Sequence, residues 1–249
     1  MIKKDYHMHT TYSDGTGSPE EMILKAIELG LEEVGISDHS WTSFDDSCNM
    51  RRDEIESYHK ELDRLKEKYK GKIKVLKGIE QDFYSELPAE GYDYVIGSVH
   101  YLKIEDEYIT VDWLPEMLTG AADKYFGGDM LSLCELYFDT VSGVVEKTGA
   151  DIIGHFDLIS KLNEKHSLFD ASDPRYVSAW KKALDKLLKT GVPFEINTGA
   201  LSRGYRTFPY PSLEQINYIK ERGGALLLSS DAHTPDNICF AFDIYEKYL

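Results

Sequence analysis

Short apolar, β-branched runs alternate with longer stretches of helical period along this chain, and no other feature narrows the choice of fold as much. The candidate strands are residues 5–9, 33–38, 73–80, 94–100, 151–155, 193–198 and 225–231. Strands separated by helices read as βα units, and βα units build a parallel sheet. The first helix starts at Ser18-Pro19-Glu20-Glu21, with a serine cap, proline at the first position and glutamate at the third, and Gly30 stands where it should stop. Further helices are predicted over 51–69, 129–148, 174–190 and 212–222. No internal repeat, low-complexity tract or Pro/Gly/Ser linker divides the 249 residues, so residues 1–249 are expected to form one domain, a size common for α/β barrels. Two stretches break the alternation. Residues 41–50 follow a strand irregularly, and residues 101–128, with Trp113, Pro115 and Gly127-Gly128, are too long for an ordinary βα connection. The second reads either as a lid or binding loop, or as a surface excursion with a short helix at 114–121.

The strand ends carry the chemistry. His7 and His9 close the first predicted strand, Asp38 and His39 the second, Glu80 the third, His100 the fourth and His155 the fifth; Asp231 closes the seventh, with His233 just beyond. His7 and His9 lie two apart, so in a strand both imidazoles point to one face while Tyr6 and Met8 point to the other. Each residue alone has an ordinary structural explanation, such as a capped turn or a hydrogen-bonded core histidine. Six of the eight histidines at one end of one parallel sheet is a different matter, because that end is where βα loops converge. His59, on a polar helix, and His166, in a loop, fall outside the set.

Imidazoles and carboxylates without thiolates suit Zn, Fe or Mn better than Ca or Mg. Six histidines with Asp14, Glu80 and Asp231 make nine candidate ligands, too many for one ion and enough for three divalent ions with open positions. Three dications against three carboxylates leave a local surplus of about +3, which would hold a phosphate dianion in spite of a net charge of −16. The expected chemistry is metal-assisted hydrolysis by a hydroxide shared between two ions, with Glu80 as the bridging carboxylate. Asp231, His233 and His39 are candidates to protonate the leaving alkoxide. The bulk acidity argues against an extended nucleic-acid groove and against attraction to anionic membranes unless a local site reverses the sign, and no apolar run approaches spanning length. Met1-Ile2-Lys3-Lys4 is not followed by the apolar region of a signal peptide, and Cys48, Cys134 and Cys239 lack any CxxC spacing, so a cytoplasmic protein with reduced thiols is expected.

Taken in order, His7-Met8-His9-Thr10-Thr11-Tyr12-Ser13-Asp14-Gly15, Ser37-Asp38-His39, Gly78-Ile79-Glu80, Ile96-Gly97-Ser98-Val99-His100, Ile153-Gly154-His155-Phe156-Asp157 and Ser230-Asp231-Ala232-His233 resemble the motifs of the polymerase-and-histidinol-phosphatase (PHP) superfamily. Tyr125-Phe126-Gly127-Gly128-Asp129, Glu195-Ile196-Asn197-Thr198 and Tyr210-Pro211-Ser212 are similar to its stand-alone histidinol-phosphate phosphatase branch. The resemblance implies an α/β fold, a distorted seven-stranded (β/α)7 TIM-like barrel with a trinuclear centre. It implies one ion held by His7, His9, Glu80 and Asp231, a second by Glu80, His100 and His155, and a third by Asp14, His39 and His233. It also implies L-histidinol phosphate as substrate, hydrolysed to L-histidinol and phosphate in histidine biosynthesis. Where that branch carries a basic residue after Asn197-Thr198, this chain offers Arg203 first and Arg206 second as the phosphate contact, with Lys161 a weaker candidate. Glu195 and Asn197 share a strand face, so Glu195 is expected to meet the substrate's ammonium, to support a metal ligand, or to pair with a lysine. A PHP phosphoesterase of other specificity and a non-catalytic metal-binding module are the rival readings.

Overall fold

In the computed structural model, which describes residues 2–249, strand and helix alternate as the sequence predicts. The first part of the chain comprises β1 (Lys4–Asp5), α1 (Pro19–Glu28), β2 (Glu33–Ile36), α2 (Ile55–Lys68), β3 (Lys74–Asp82) and β4 (Tyr94–Ser98). Then come β5 (Tyr101–Ile104), β6 (Glu107–Thr110), α3 (Pro115–Phe126), α4 (Met130–Val141) and α5 (Val144–Thr148). The remainder is β7 (Ile152–Ile153), α6 (Asn163–His166), α7 (Pro174–Leu187), β8 (Phe194–Asn197), α8 (Gly199–Ser202), α9 (Leu213–Glu221), β9 (Leu226–Ser229) and α10 (Phe242–Tyr245). No helix among the described residues is long and apolar enough to cross a membrane.

Seven strands form one sheet in the order β1-β2-β3-β4-β7-β8-β9, and every pairing in it is parallel. β1 and β9 share no regular ladder. Just beyond them, however, Met8 and Ala232 form a parallel bridge, with His9 N–H donating to Ala232 O at 2.8 Å and Ala232 N–H to His7 O at 3.2 Å. The sheet is therefore a nearly closed seven-stranded (β/α) barrel, joined at its seam by the HxH segment itself.

Local chemistry explains the elements. Ser18 and Glu21 form the reciprocal capping box at α1, and Gly30 ends it in the left-handed region at φ 76°. Asp173 caps α7, and Ser212 with Gln215 repeats the capping box at α9. The outward faces of the strands pack under the helices in two large clusters, one around Met22, Val34, Ile36 and Leu62, the other around Phe138, Trp180 and Phe194. Inside the barrel the floor is a small cluster of Tyr94, Ile96 and Ile152. Tyr94 lies across β3 and β2, and its hydroxyl donates to Tyr6 O at 2.5 Å. Gly35 and Gly78 make room for it, because a Cβ at either position would lie 2.2 Å from a Tyr94 ring or hydroxyl atom.

Several expectations are corrected. The regular ladder of the first strand stops at Asp5, so strict alternation is not imposed beyond it: Met8 packs toward the helices, but Tyr6 joins Tyr94 in the interior. The fifth strand is only Ile152–Ile153, and the helix expected over 129–148 breaks at Ser142-Gly143 into α4 and α5. Residues 101–128 hold an unexpected antiparallel hairpin, β5–β6, followed by α3, the helix expected near 114–121. His59 is half-buried against Tyr92, with ring centroids 4.5 Å apart, while His166 is exposed.

The Tyr94 floor yields a stability prediction. Gly78→Ala should cost about 1–3 kcal/mol by overpacking, read as a lower urea midpoint at constant slope; an unchanged midpoint would mean that the ring shifts freely and does not brace the barrel.

Candidate metal centre

Glu80, at the mouth of the barrel on β3, is 1% exposed and lies among five imidazoles. Its two oxygens face different histidines. Oε1 lies 3.3 Å from His100 Nε2 and 2.8 Å from His155 Nε2. Oε2 lies 3.4 Å from His7 Nε2, 3.5 Å from His9 Nε2 and 2.8 Å from His39 Nδ1. Asp231 Oδ1 adds to the second group, 3.1 Å from His9 Nε2 and 3.7 Å from His7 Nε2. A separate cluster forms around Asp14, whose Oδ1 lies 3.6 Å from His39 Nε2 and 3.8 Å from His9 Nδ1, and whose Oδ2 lies 3.3 Å from His233 Nε2. All nine predicted ligands thus converge. His39 departs from its expected set by reaching both Asp14 and Glu80.

Asp14 reaches the site from a loop because Asp38, fully buried at the end of β2, anchors that loop. Asp38 accepts from Thr10 N–H at 2.7 Å, Thr10 Oγ1 at 2.8 Å and Ser13 Oγ at 2.6 Å. Gly15 completes the turn, since a Cβ there would sit 2.3 Å from His9 O.

The donors fit divalent metal. Donor-to-donor separations of 2.8–3.8 Å bracket the roughly 3.4 Å edge of a tetrahedron with ligands at about 2.1 Å. His7 Nε2, both ring nitrogens of His9, Asp14 Oδ1 and Glu80 Oε2 are buried without hydrogen-bond geometry to any described residue. Buried polar atoms almost always have partners, so five unpartnered atoms aimed at one another mark a place for a cation. Three overlapping groups, His9-Asp14-His39-His233, His7-His9-Glu80 and His39-Glu80-His100, each bring their donor atoms within 4.8 Å.

The residues behind these donors set their orientation. Glu195, fully buried, accepts from His7 Nδ1 at 2.8 Å, which leaves Nε2 of His7 with its lone pair toward the centre. The same carboxylate accepts from Ser229 Oγ, Asn197 Nδ2 and the backbone N–H of His155. Asp82 does the corresponding work for His100, lying 3.2 Å from its Nδ1 and accepting its backbone N–H. Ser98 Oγ donates to Glu80 Oε1 at 2.7 Å. Burial, reinforced by the neighbouring His39 and His233, pushes the His9 imidazole down to about 3, so it stays neutral. Burial disfavours charge on His7, His39 and His100 as well, but the carboxylates beside them outweigh it and raise all three above their usual value.

A cavity of about 300 Å³ opens directly onto these residues. Arg203 lines it, with Nη2 3.2 Å from Asp231 Oδ2 and Nη1 2.6 Å from His233 Nδ1. Lys161 lines it too, paired with Asp112 Oδ2 at 2.8 Å. The other predicted substrate contacts lie elsewhere. Arg206 stacks over Tyr210 and bonds Asp157 and Ser160. Glu195 and Asn197 sit beneath the donors, Asn197 bonding Glu195 and Asp231, so neither lines the cavity and Glu195 meets no lysine. Sequence reasoning missed Asp82, Ser98 and Asp112. Asp38 was visible as a strand-end residue, but its task of holding the Asp14 loop was not.

A profile of the PHP domain matches residues 5–199. The chain belongs to the PHP family. The probable histidinol-phosphatase of Deinococcus radiodurans is 30% identical over 254 residues, covering 96% of this chain and 89% of that protein. The histidinol-phosphatase of Bacillus subtilis is 23% identical, covering 98% of each. Among solved structures, the Lactococcus lactis histidinol phosphate phosphatase complexed with zinc, L-histidinol and phosphate superposes with a TM-score of 0.71 at 23% identity, covering 99% of this chain and 93% of that one. A chain from Listeria monocytogenes gives a TM-score of 0.81 at 22% identity, covering 98% and 100%. Both share this PHP fold.

Two measurements probe the donor set. Glu195→Gln places an amide N–H2 where one of four donors now points, and should weaken metal binding about 10- to 100-fold in a chelator competition while the protein stays folded; equal affinity would make Glu195 a bystander. The second concerns pH. Raised imidazole pKa values stabilise the metal-free fold fully below about pH 6.5, and that stability is lost as pH rises through the folded values. Metal requires the same nitrogens deprotonated, so its stabilisation grows with pH. As pH rises above about 6.5 the Tm should fall in chelator and rise or hold with saturating zinc or manganese; parallel curves would refute the shared donor set.

Proposed function

We propose that this PHP-family protein, residues 1–249 forming one unit, is a metal-dependent phosphomonoesterase that hydrolyses L-histidinol phosphate to L-histidinol and phosphate. The observation that carries the reading is Glu80, whose two oxygens divide the surrounding histidines into two groups beside a cavity lined by Arg203. The near full-length match to histidinol-phosphatases of two bacteria supports the substrate.

We assign His7, His9, Glu80 and Asp231 to one ion, Glu80, His100 and His155 to a second, and Asp14, His39 and His233 to a third, the metals being Zn, Fe or Mn. Such ions lower the pKa of bound water to about 7 and neutralise charge on phosphoryl oxygens. The chain's own residues do the rest. Arg203 presents a planar fork beside the centre, the geometry that matches phosphate oxygens two at a time. Asp231 holds Arg203 in that pose and is itself kept well below the usual carboxylate range: burial opposes ionisation, but Arg203 and the adjacent imidazoles overcome it. Asp231, His39 and His233 all line the cavity and are the candidates to protonate the leaving alkoxide. Lys161 supplies a second cation to the same cavity. The three cysteines are free thiols, in keeping with a cytoplasmic enzyme of histidine biosynthesis.

The test is a panel assay. Purified protein, supplied with manganese or zinc, should turn over L-histidinol phosphate with kcat/KM at least tenfold above that for nucleotides, phosphotyrosine and simple sugar phosphates. A flat profile or a nucleotide preference would leave a PHP phosphoesterase of other specificity, and bound metal without turnover on any ester would leave a metal-binding module.

A further inference from the structure

The cavity beside the metal centre is not uniformly cationic. Five carboxylates line it: Asp14, Asp45, Glu80, Asp112 and Asp231. Asp14, Glu80 and Asp231 lie among the histidines. Asp45 is fully committed, its Oδ1 accepting from Ser47 N–H at 2.9 Å and Ser47 Oγ at 2.6 Å, its Oδ2 from Tyr101 OH at 2.7 Å. Asp112 differs from the others. It lies between β6 and α3, where Val111 N–H donates to His100 O at 2.9 Å and ties this stretch to the metal centre. Its Oδ2 accepts from Lys161 Nζ at 2.8 Å, and its Oδ1 has no partner among the described residues. The side chain keeps 22% exposure.

A phosphate site has no use for an additional ionised wall residue unless the ester also carries positive charge, since a nearby carboxylate repels the phosphate. Histidinol phosphate carries such a charge. Its ammonium sits two carbons from the ester oxygen, so whatever recognises it must line the same small cavity that holds the phosphate.

We propose that Asp112 determines specificity by accepting a hydrogen bond from the substrate's ammonium group through Oδ1, with Lys161 fixing the carboxylate through Oδ2. The inference rests on the proposed histidinol-phosphatase reading. A charge-assisted hydrogen bond of this kind discriminates by a factor on the order of ten to a hundred against an ester that lacks the amine.

The experiment compares L-histidinol phosphate with 3-(imidazol-4-yl)propyl phosphate, the same ester without its amino group, on metal-loaded wild type, Asp112→Asn and Lys161→Met. Wild type should prefer the aminated ester at least tenfold in kcat/KM. Asp112→Asn should collapse that ratio toward one, mostly through KM. Lys161→Met should lower the ratio only in part, because it frees the carboxylate that the lysine holds but leaves the acceptor in place. Asp112→Asn and Lys161→Met lowering the ratio equally, or neither lowering it, would reduce the two to a structural ion pair and overturn the proposal. If Asp112→Asn does not fold, Asp112→Glu gives the same answer: a lengthened carboxylate should shift the ratio, and an unshifted ratio overturns it. A wild type that hydrolyses neither ester defeats the histidinol-phosphatase reading itself, whereas preference in wild type surviving in Asp112→Asn defeats only the role of Asp112.

Discussion

One carboxylate governs this structure. Glu80 is buried with nitrogens of five imidazoles between 2.8 and 3.5 Å from its oxygens. Taking a carboxylate out of water costs several kcal/mol, and neutral imidazoles that present lone pairs offer it no compensation. The arrangement is stable only with positive charge among those atoms, either protons on the histidines or metal between them. Both alternatives use the same nitrogens, which is why proton uptake and metal uptake compete here. The barrel supplies rigidity: Glu80 belongs to the longest strand, and its parallel neighbour β4 contributes Ser98 to pin one oxygen.

Around that carboxylate the protein builds a second ring of acids whose work is orientation. Glu195 turns His7, Asp82 turns His100, and Asp38 holds the loop that presents Asp14. Each accepts backbone as well as side-chain donors, so each links a ligand to the barrel wall. A single shifted carboxylate would therefore misdirect a donor and loosen the strand beside it. This is the physical sense in which the site and the fold are one object: the bridge that closes the barrel, Met8 to Ala232, is made by the residue between two ligands.

The strand ends were legible because barrel topology forces the C-terminal ends of parallel strands together, so residues 7, 9, 39, 80, 100, 155, 231 and 233 could be grouped before any coordinate was known. The face shared by Glu195 and Asn197 was legible too, but not their depth: alternation distinguishes inside from outside and carries no information on height within the barrel. Arg203 ranked ahead of Arg206 in sequence, and tertiary packing sends the first to the cavity and the second to Asp157. The β5–β6 hairpin escaped notice for a specific reason. Ile104 pairs with Glu107, so the turn is Glu105-Asp106, and Glu105 takes φ 55° without the glycine or asparagine that normally announces such a turn. Asp112 went unnoticed with it, because its position beside the metal centre depends on that hairpin.

Charge then closes the account of what the cavity selects. On the three-ion reading, the ions exceed Asp14, Glu80 and Asp231 by about three charges. The three orienting carboxylates Glu195, Asp82 and Asp38 offset that surplus, and Arg203 leaves about one positive charge facing the phosphate. Lys161 and Asp112 cancel as a pair. On the proposed reading, an ester that adds an ammonium group brings its own positive charge to such a site and meets the free oxygen of Asp112. The outer acids of a chain with net charge −16 contribute little to this, because screening by salt removes exposed charges beyond about 8–10 Å while the buried set is screened far less. On the proposed reading, selection of a zwitterionic phosphate belongs to the groups around this cavity, and the acidic surface is free to serve solubility.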